Sequence, residues 1–255
     1  MVIEADGVRL AFSADVASTL ADVVNRTAGR GGRIIVPSFA VGRTQQLVMI
    51  LHQLMDAHRI PSISIFVDSP LAVNATEVFR KHPECYDAET RKFLTEGDDP
   101  FGFSRLCYLR DVNESKALNS LHGPFLVLSA SGMCEGGRIL HHLRNNIEDP
   151  RNTVLFTGYQ AEYTPGRKIL NGDREVPIFG EPMQLRAEVV SLDALSGHAD
   201  QGELIEWMRP MAAHLKRVFL VHGELASGAA LAEVIRKEFH LDVRQPSRGH
   251  SFLLT

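Results

Sequence analysis

This 255-residue chain lacks long apolar runs, cysteine motifs and any excess of positive charge. Each absence closes off a class of protein. No apolar run exceeds five residues, and those at 34–36, 125–128 and 218–221 are strand-length, far short of the ~18 residues that a membrane span needs. Met1-Val2-Ile3-Glu4 has neither the basic start nor the apolar core of a secretory signal. Cys85, Cys107 and Cys134 stand apart with no Cys-x-x-Cys among them, so neither a zinc ribbon nor a disulfide framework can be drawn. Sparse, odd-numbered cysteines fit a reducing compartment, and a cytoplasmic location is expected. The formal net charge of -4 excludes a globally basic polyanion binder. It leaves room for a local cationic groove, because field focusing depends on where the charges sit. No repeats or low-complexity tracts occur.

What is present is ordinary soluble-globular material, 44% hydrophobic and 23% charged, enough for one large or two modest domains. Val16, Leu20, Val23 and Val24 recur at helical spacing and end in a glycine stop at 29–32. Residues 33–37 then read as a buried strand. A helix follows from Gly42 through Met55, and residues 62–67 form the next strand, closing at Asp68-Ser69-Pro70. Helical material is expected over 71–121, broken at 97–102. A strand at 124–128 and a helix at 136–146 come after it. This alternation with short turns predicts a largely parallel α/β sheet. Past Pro150 the texture changes to strand-like segments at 153–157, 176–179 and 183–192, with helix and strand returning over 203–244. A domain boundary is expected near residues 149–152.

Chemistry is concentrated where strands end. Ser129-Ala130-Ser131-Gly132-Met133-Cys134-Glu135-Gly136-Gly137-Arg138 joins a strand to a helix. Small residues let a ligand approach backbone N–H groups, hydroxyls donate, and the helix start adds positive dipole. The same glycines could serve only a tight turn. The loop is neither Gly-x-x-x-x-Gly-Lys-Ser/Thr nor Gly-x-Ser-x-Gly, so neither nucleoside triphosphate binding nor a serine-hydrolase elbow is supported. Arg43 places a cation at a second strand-to-helix junction, where it could meet a phosphate or pair with an acid. Asp68 reads as a helix cap. His141 and His142 point to different faces of one helix and cannot chelate one ion together; one could face a groove. His198, after Ser196-Gly197 and two residues before Asp200, has the setting of a tunable acid. His222 leaves a rigid strand as a metal ligand would, with Glu224 available to support it.

Taken in order, Pro37-Ser-Phe-Ala-Val-Gly-Arg-Thr-Gln45, Asp68-Ser-Pro-Leu-Ala72, the 129–138 loop, Thr157-Gly-Tyr-Gln160, Ser196-Gly-His-Ala-Asp200 and Val221-His-Gly-Glu224 resemble the β-CASP family of metallo-β-lactamase-fold RNA nucleases. The resemblance runs from about Ala14 to the C-terminus. It implies a parallel-sheet β-CASP domain followed by the C-terminal half of a metallo-β-lactamase αββα domain. Residues 1–14 would be a remnant of the latter, 15–152 the β-CASP domain, and 153–255 the RNA-metabolising C-terminal segment. It implies zinc-dependent hydrolysis of RNA phosphodiesters, with two zinc ions in the complete fold stabilising attacking and leaving oxygens.

The site residues follow from the same resemblance. His198 matches the histidine that protonates the leaving oxygen, and Glu4 its acidic partner. His222 matches a zinc ligand. Ser129, Ser131, Gly132, Gly136 and Gly137 match a loop close to RNA phosphates, with Arg43 and His142 added as substrate contacts.

The family's His-x-His-x-Asp-His ligand motif does not occur here, and Glu4-Ala5-Asp6-Gly7 matches the family's Glu-Ser-Thr-Tyr-Gly only at Glu4 and Gly7. A catalytic zinc usually takes about three protein ligands. The chain is therefore expected to be an N-terminally truncated portion of a zinc ribonuclease, inactive alone. A separate polypeptide supplying the other half, a homo-oligomer, or a non-catalytic RNA-binding or scaffold module are the alternatives. A doubly wound nucleotide-binding or transferase domain is a further reading from fold class alone.

Overall fold

Parallel strands covered by helices on both faces read as unbroken apolar runs, and three runs of this chain do so. Ile34–Pro37, Phe125–Ser129 and Thr153–Phe156 are buried at every position. The computed structural model describes residues 2–4, 16–95, 97–192 and 199–253. Two compact units emerge, the larger spanning Ser13–Leu195 and the smaller combining Met1–Phe12 with Ser196–Thr255. In chain order, β1 (Val2–Glu4) precedes α1 (Val16–Gly29), β2 (Ile34–Pro37), α2 (Arg43–Asp56), β3 (Ser64–Val67) and α3 (Pro70–Lys81). Next come α4 (Ala88–Thr95), β4 (Leu106–Tyr108), α5 (Val112–Ala117), β5 (Phe125–Ser129), α6 (Ile139–Asn146) and β6 (Thr153–Phe156). The chain continues through α7 (Pro165–Leu170), β7 (Glu175–Ile178), β8 (Glu181–Gln184) and β9 (Glu188–Ser191). It closes with α8 (Gln201–Met208), β10 (Arg217–Val221), α9 (Leu225–Phe239) and β11 (Asp242–Arg244).

The larger unit is built on a six-stranded sheet in the order β4-β3-β5-β2-β6-β9, parallel throughout. One apolar layer joins α1 and α2 to one face, through Leu20, Val24, Leu47, Leu51, Ile34 and Ile65. The other face carries α6 and α7, with Ile139, Leu143 and Ile169 against Ile35, Val127 and Phe156. Buried aliphatic side chains of this kind each contribute roughly 1.5–3 kcal/mol of transfer free energy. The sheet therefore holds its carboxyl edge as a rigid platform.

The segment 71–121 is not helical throughout, as expected from its pattern. It contains the short edge strand β4, which pairs Leu106–Tyr108 with Ile65–Val67. The sheet of the larger unit also continues past 149–152. Ile34 and Ile35 pair with Thr153 and Val154, and β6 in turn pairs with Glu188–Ser191. The sheet crosses the textural break because β6 and β9 are its continuation, and the antiparallel β7–β8 hairpin is an excursion between them. The compact units divide at Leu195–Ser196.

The smaller unit holds a parallel sheet, β1-β10-β11. Ile205 and Met208 of α8 and Leu231 and Ile235 of α9 pack with Val218, Leu220 and Val243. Among the described residues no helix is long and apolar enough to cross a membrane.

Candidate functional site

Within the larger unit, strand order decides which loops meet. The chain leaves the centre of the sheet at β2 for β3 and β4, returns to β5 between β3 and β2, and then crosses to β6. Such a reversal leaves a crevice at the carboxyl ends of the strands, where open α/β sheets bind ligands. Pro37 pairs with Ser129 and Val67 with Leu128, so β2, β3 and β5 end together. The ladder runs one step further. Ser38 N donates to Ser129 O at 3.0 Å, and Asp68 N donates to Leu128 O at 2.8 Å. Three motif segments thus emerge side by side.

Asp68 is the hub of this edge. It is fully buried, and its carboxylate faces three donors. Arg138 Nη1 reaches Oδ1 at 2.6 Å, while His142 Nε2 (2.6 Å) and Ser115 Oγ reach Oδ2. Burial alone would raise the Asp68 carboxyl, but the hydrogen bonds from His142, Ser115 and Arg138 outweigh it and hold it below the usual aspartate range. Asp68 is not the cap of α3. That place belongs to Ser69, whose side chain accepts from Ala72 N at 3.3 Å. Arg138 also donates to the carbonyls of Leu109 and Arg110 at 3.4 and 2.7 Å, tying the end of the 129–138 loop to the turn after β4.

The loop itself is braced on every side. Ser131 N donates to Gly136 O at 3.1 Å, Glu135 N to Ser131 Oγ at 3.1 Å, and Ile139 N to Ala130 O at 3.2 Å. Gln160 Nε2 donates to Gly132 O at 3.0 Å, and Gly166 N to Met133 O at 3.1 Å, so the Thr157–Gln160 motif acts as a strut. Gly137 is required by its backbone, since φ is +81° and a Cβ there would lie 2.4 Å from Ala130 O. Against this scaffold, the backbone N–H groups of Gly136 and Gly137 donate to no acceptor among the described residues. Gly137 is exposed and Gly136 half-buried. Successive unpaired N–H groups in a turn are an anion-binding arrangement.

The expected substrate contacts therefore separate into two kinds. Gly137 is exposed and Gly136 half-buried, and neither N–H meets an acceptor among the described residues. Ser129 is buried instead, and its hydroxyl donates to Asp68 O at 2.8 Å. His142 is buried too, with its Nε2 2.6 Å from Asp68 Oδ2. Ser131 is half-buried with Oγ accepting from Glu135 N, and Gly132 is buried beneath the Phe39 ring, 3.0 Å from where a Cβ would stand. Arg43, half-buried at the start of α2, donates to Gln46 Oε1 at 2.7 Å. Spacing hid the role of Asp68, whose partners lie 47, 70 and 74 residues away.

In the smaller unit, β1 runs beside β10 with Glu4 opposite Val221, the residue before His222. The backbones expected to carry the acid and the zinc ligand are thus adjacent. His222 is exposed with φ of +56°, a left-handed conformation that costs a non-glycine residue about 1 kcal/mol. Asp200 caps α8 in a reciprocal box with Glu203, accepting from its N at 2.8 Å while Glu203 Oε2 accepts from Asp200 N at 2.9 Å. That accounts for its carboxylate locally. His198 lies outside the described residues. The one grouping of three metal-ligating side chains among the described residues is His52, Asp56 and Asp98, without His222. These residues do not by themselves build a dizinc centre.

Parallel sheets packed with helices define the class, an α/β protein of two units, with a Ser/Gly loop at the carboxyl edge of the larger sheet and His222 directly after a strand of the smaller. Comparison with known proteins narrows it. Residues 44–169 match the Beta-Casp domain, and residues 182–246 match the Zn-dependent metallo-hydrolase RNA specificity domain. The chain belongs to the β-CASP family of metallo-β-lactamase-fold RNA nucleases. It is similar to ribonuclease TTHA0252 of Thermus thermophilus, 37% identical over 214 residues, covering 84% of this chain and 48% of that protein. It is also similar to the transcription termination factor FttA of Methanosarcina mazei (33% over 239 residues, 90% and 37% covered) and of Pyrococcus abyssi (33% over 236, 89% and 36%). The chain spans about half the length, or less, of these relatives.

Proposed function

We propose that this chain is the β-CASP and RNA-specificity portion of a zinc-dependent RNA phosphodiester hydrolase, working in the cytoplasm. The observation that carries the reading is the pair of N–H groups at Gly136 and Gly137 with no acceptor among the described residues, in a loop whose end is tied to Asp68 through Arg138. Backbone donors at a strand-end crevice suit a phosphate and read no base. In this reading RNA phosphates sit over Gly136 and Gly137, with Arg43, Ser131 and Gly132 shaping the approach. Ser129 and His142 act from beneath, as positioning groups. His198 supplies the proton to the leaving oxygen, Glu4 orients it, and His222 contributes one zinc ligand. The remaining ligands come from a partner segment carrying the metallo-β-lactamase motif.

The chain alone is then expected to bind RNA with an affinity that falls as salt rises, and not to cleave it. A second reading, a non-catalytic RNA-binding module, is favoured by the want of a ligand trio around His222 among the described residues. Mixing the purified chain with the N-terminal half of the Thermus relative separates the two. RNA cleavage that appears on mixing with zinc, and is lost with His198→Ala, supports the hydrolase. Binding without cleavage under every condition supports the module. No RNA binding at low salt sinks both.

A further inference from the structure

A second cluster lies within the larger unit, on the last turns of α2 and the turn after α4. We propose that His52, Asp56 and Asp98 form a binding site for a divalent first-row transition metal ion. This inference is independent of the RNA reading.

The argument rests on distances. His52 Nε2 lies 3.3 Å from Asp56 Oδ2 and 3.3 Å from Asp98 Oδ2, and all three ligand atoms fall within 4.8 Å of one another. One imidazole N–H cannot point at two carboxylates, and neither contact closes to the ~2.7–2.9 Å of a charge-assisted hydrogen bond. Elsewhere in the chain such pairs do close: His142–Asp68 at 2.6 Å and His82–Glu84 at 2.8 Å. By contrast, metal–ligand bonds of about 2.0–2.2 Å in tetrahedral geometry set neighbouring donor atoms about 3.3 Å apart. The two His52–carboxylate spacings match coordination edges, and the two carboxylate oxygens lie within 4.8 Å of each other.

The surroundings hold the donors in place. The His52 ring is almost fully buried, stacked on Phe103 at 4.8 Å and tilted against Phe93 at 5.2 Å. Its other nitrogen, Nδ1, is buried with no hydrogen-bond partner among the described residues, so the ring is held by packing against Phe93 and Phe103. Asp98 is oriented from behind, since its Oδ1 accepts from Asp99 N at 2.9 Å and leaves Oδ2 for the site. Such support fixes a ligand's direction. Asp56 and Asp98 are exposed at 62% and 43%, which opens the remaining coordination positions to water. One nitrogen and two carboxylate oxygens suit Zn²⁺, Mn²⁺ or Fe²⁺ better than the softer, thiolate-seeking ions. The ion would clip α2 to the turn at 97–100.

Cobalt(II) reports the site directly. Titrated into the chelator-treated 255-residue chain, Co²⁺ should give visible d–d absorption that saturates at one equivalent for this site. Asp98→Asn, an exposed change that keeps the fold, should weaken that binding at least tenfold, and His52→Ala should abolish it. His222→Ala should leave it intact. Absorption that survives Asp98→Asn unchanged, absorption lost with His222→Ala, or none at all with the parent chain overturns the proposal.

Discussion

Removing the Asp68 carboxylate should destabilise the larger unit and release the 129–138 loop. With Asp68→Ala, the Arg138 guanidinium and the nearly inaccessible His142 lose their acceptor, and breaking a buried pair from one side costs about 3–5 kcal/mol. Asp68→Asn is the informative contrast. Its amide oxygen can still accept from Arg138, Ser115 can turn its hydroxyl to accept, and His142 can change tautomer. Charge-assisted bonds become neutral ones, and the cost falls to about 2 kcal/mol. Acid gives an independent check. The folded Asp68 pKa lies below its unfolded value, near 3.9, so its contribution is complete above that value and fades as pH falls through the folded pKa. The gap between parent and Asp68→Asn should therefore narrow below about pH 4. Urea unfolding from pH 3 to 7, with amide exchange read at residues 130–138, measures both. An Asp68→Ala cost under about 1 kcal/mol, the range of an exposed pair, or a gap that widens in acid, would refute the hub.

Two further outcomes follow. Gly137→Ala should cost about 2 kcal/mol, from its left-handed backbone and the 2.4 Å approach to Ala130 O, and should weaken RNA binding in filter assays. Gly136→Ala, with open space around its Cβ, should leave the fold unchanged. Asp200→Ala should lower the stability of the smaller unit by about 1 kcal/mol through loss of the α8 cap while Asp200→Asn restores most of it; equal losses in thermal melts would show that charge, not capping, is at stake.

How much of this could be read from the chain depends on the range of the interactions. Strands buried on both faces announce themselves locally, because every position is apolar. Ile34–Pro37, Phe125–Ser129 and Thr153–Phe156 were legible for that reason, and with them the α/β class. β4 was not: it is three residues long, only half-buried, and pairs along one edge, so its pattern merges with the helices around it. The continuation of the sheet past the boundary expected at 149–152 was hidden on the same ground. Sheet order is a long-range property, and nothing near Thr153 records that it will lie beside Ile34.

The site divides similarly. Loop glycines point to ligand approach through a local signature, and the fold leaves the Gly136 and Gly137 N–H groups without an acceptor among the described residues. Ser129 and His142 carry the same residue chemistry but spend it on Asp68, and only the fold shows which way a hydroxyl or an imidazole turns. His52 gave no signal at all, because its partners are one turn along its own helix and a loop 46 residues on. The polar groups that face ligands in this family are recognisable as motifs. Those that hold such motifs in place, or gather at an unrelated corner, become visible when distant strand and helix ends are brought together. The two consequences are unequal. Ser129 and His142 bond to Asp68, so their substitutions are expected to act through the scaffold, whereas the Asp68 hub, which spacing hid, sets what the fold itself requires.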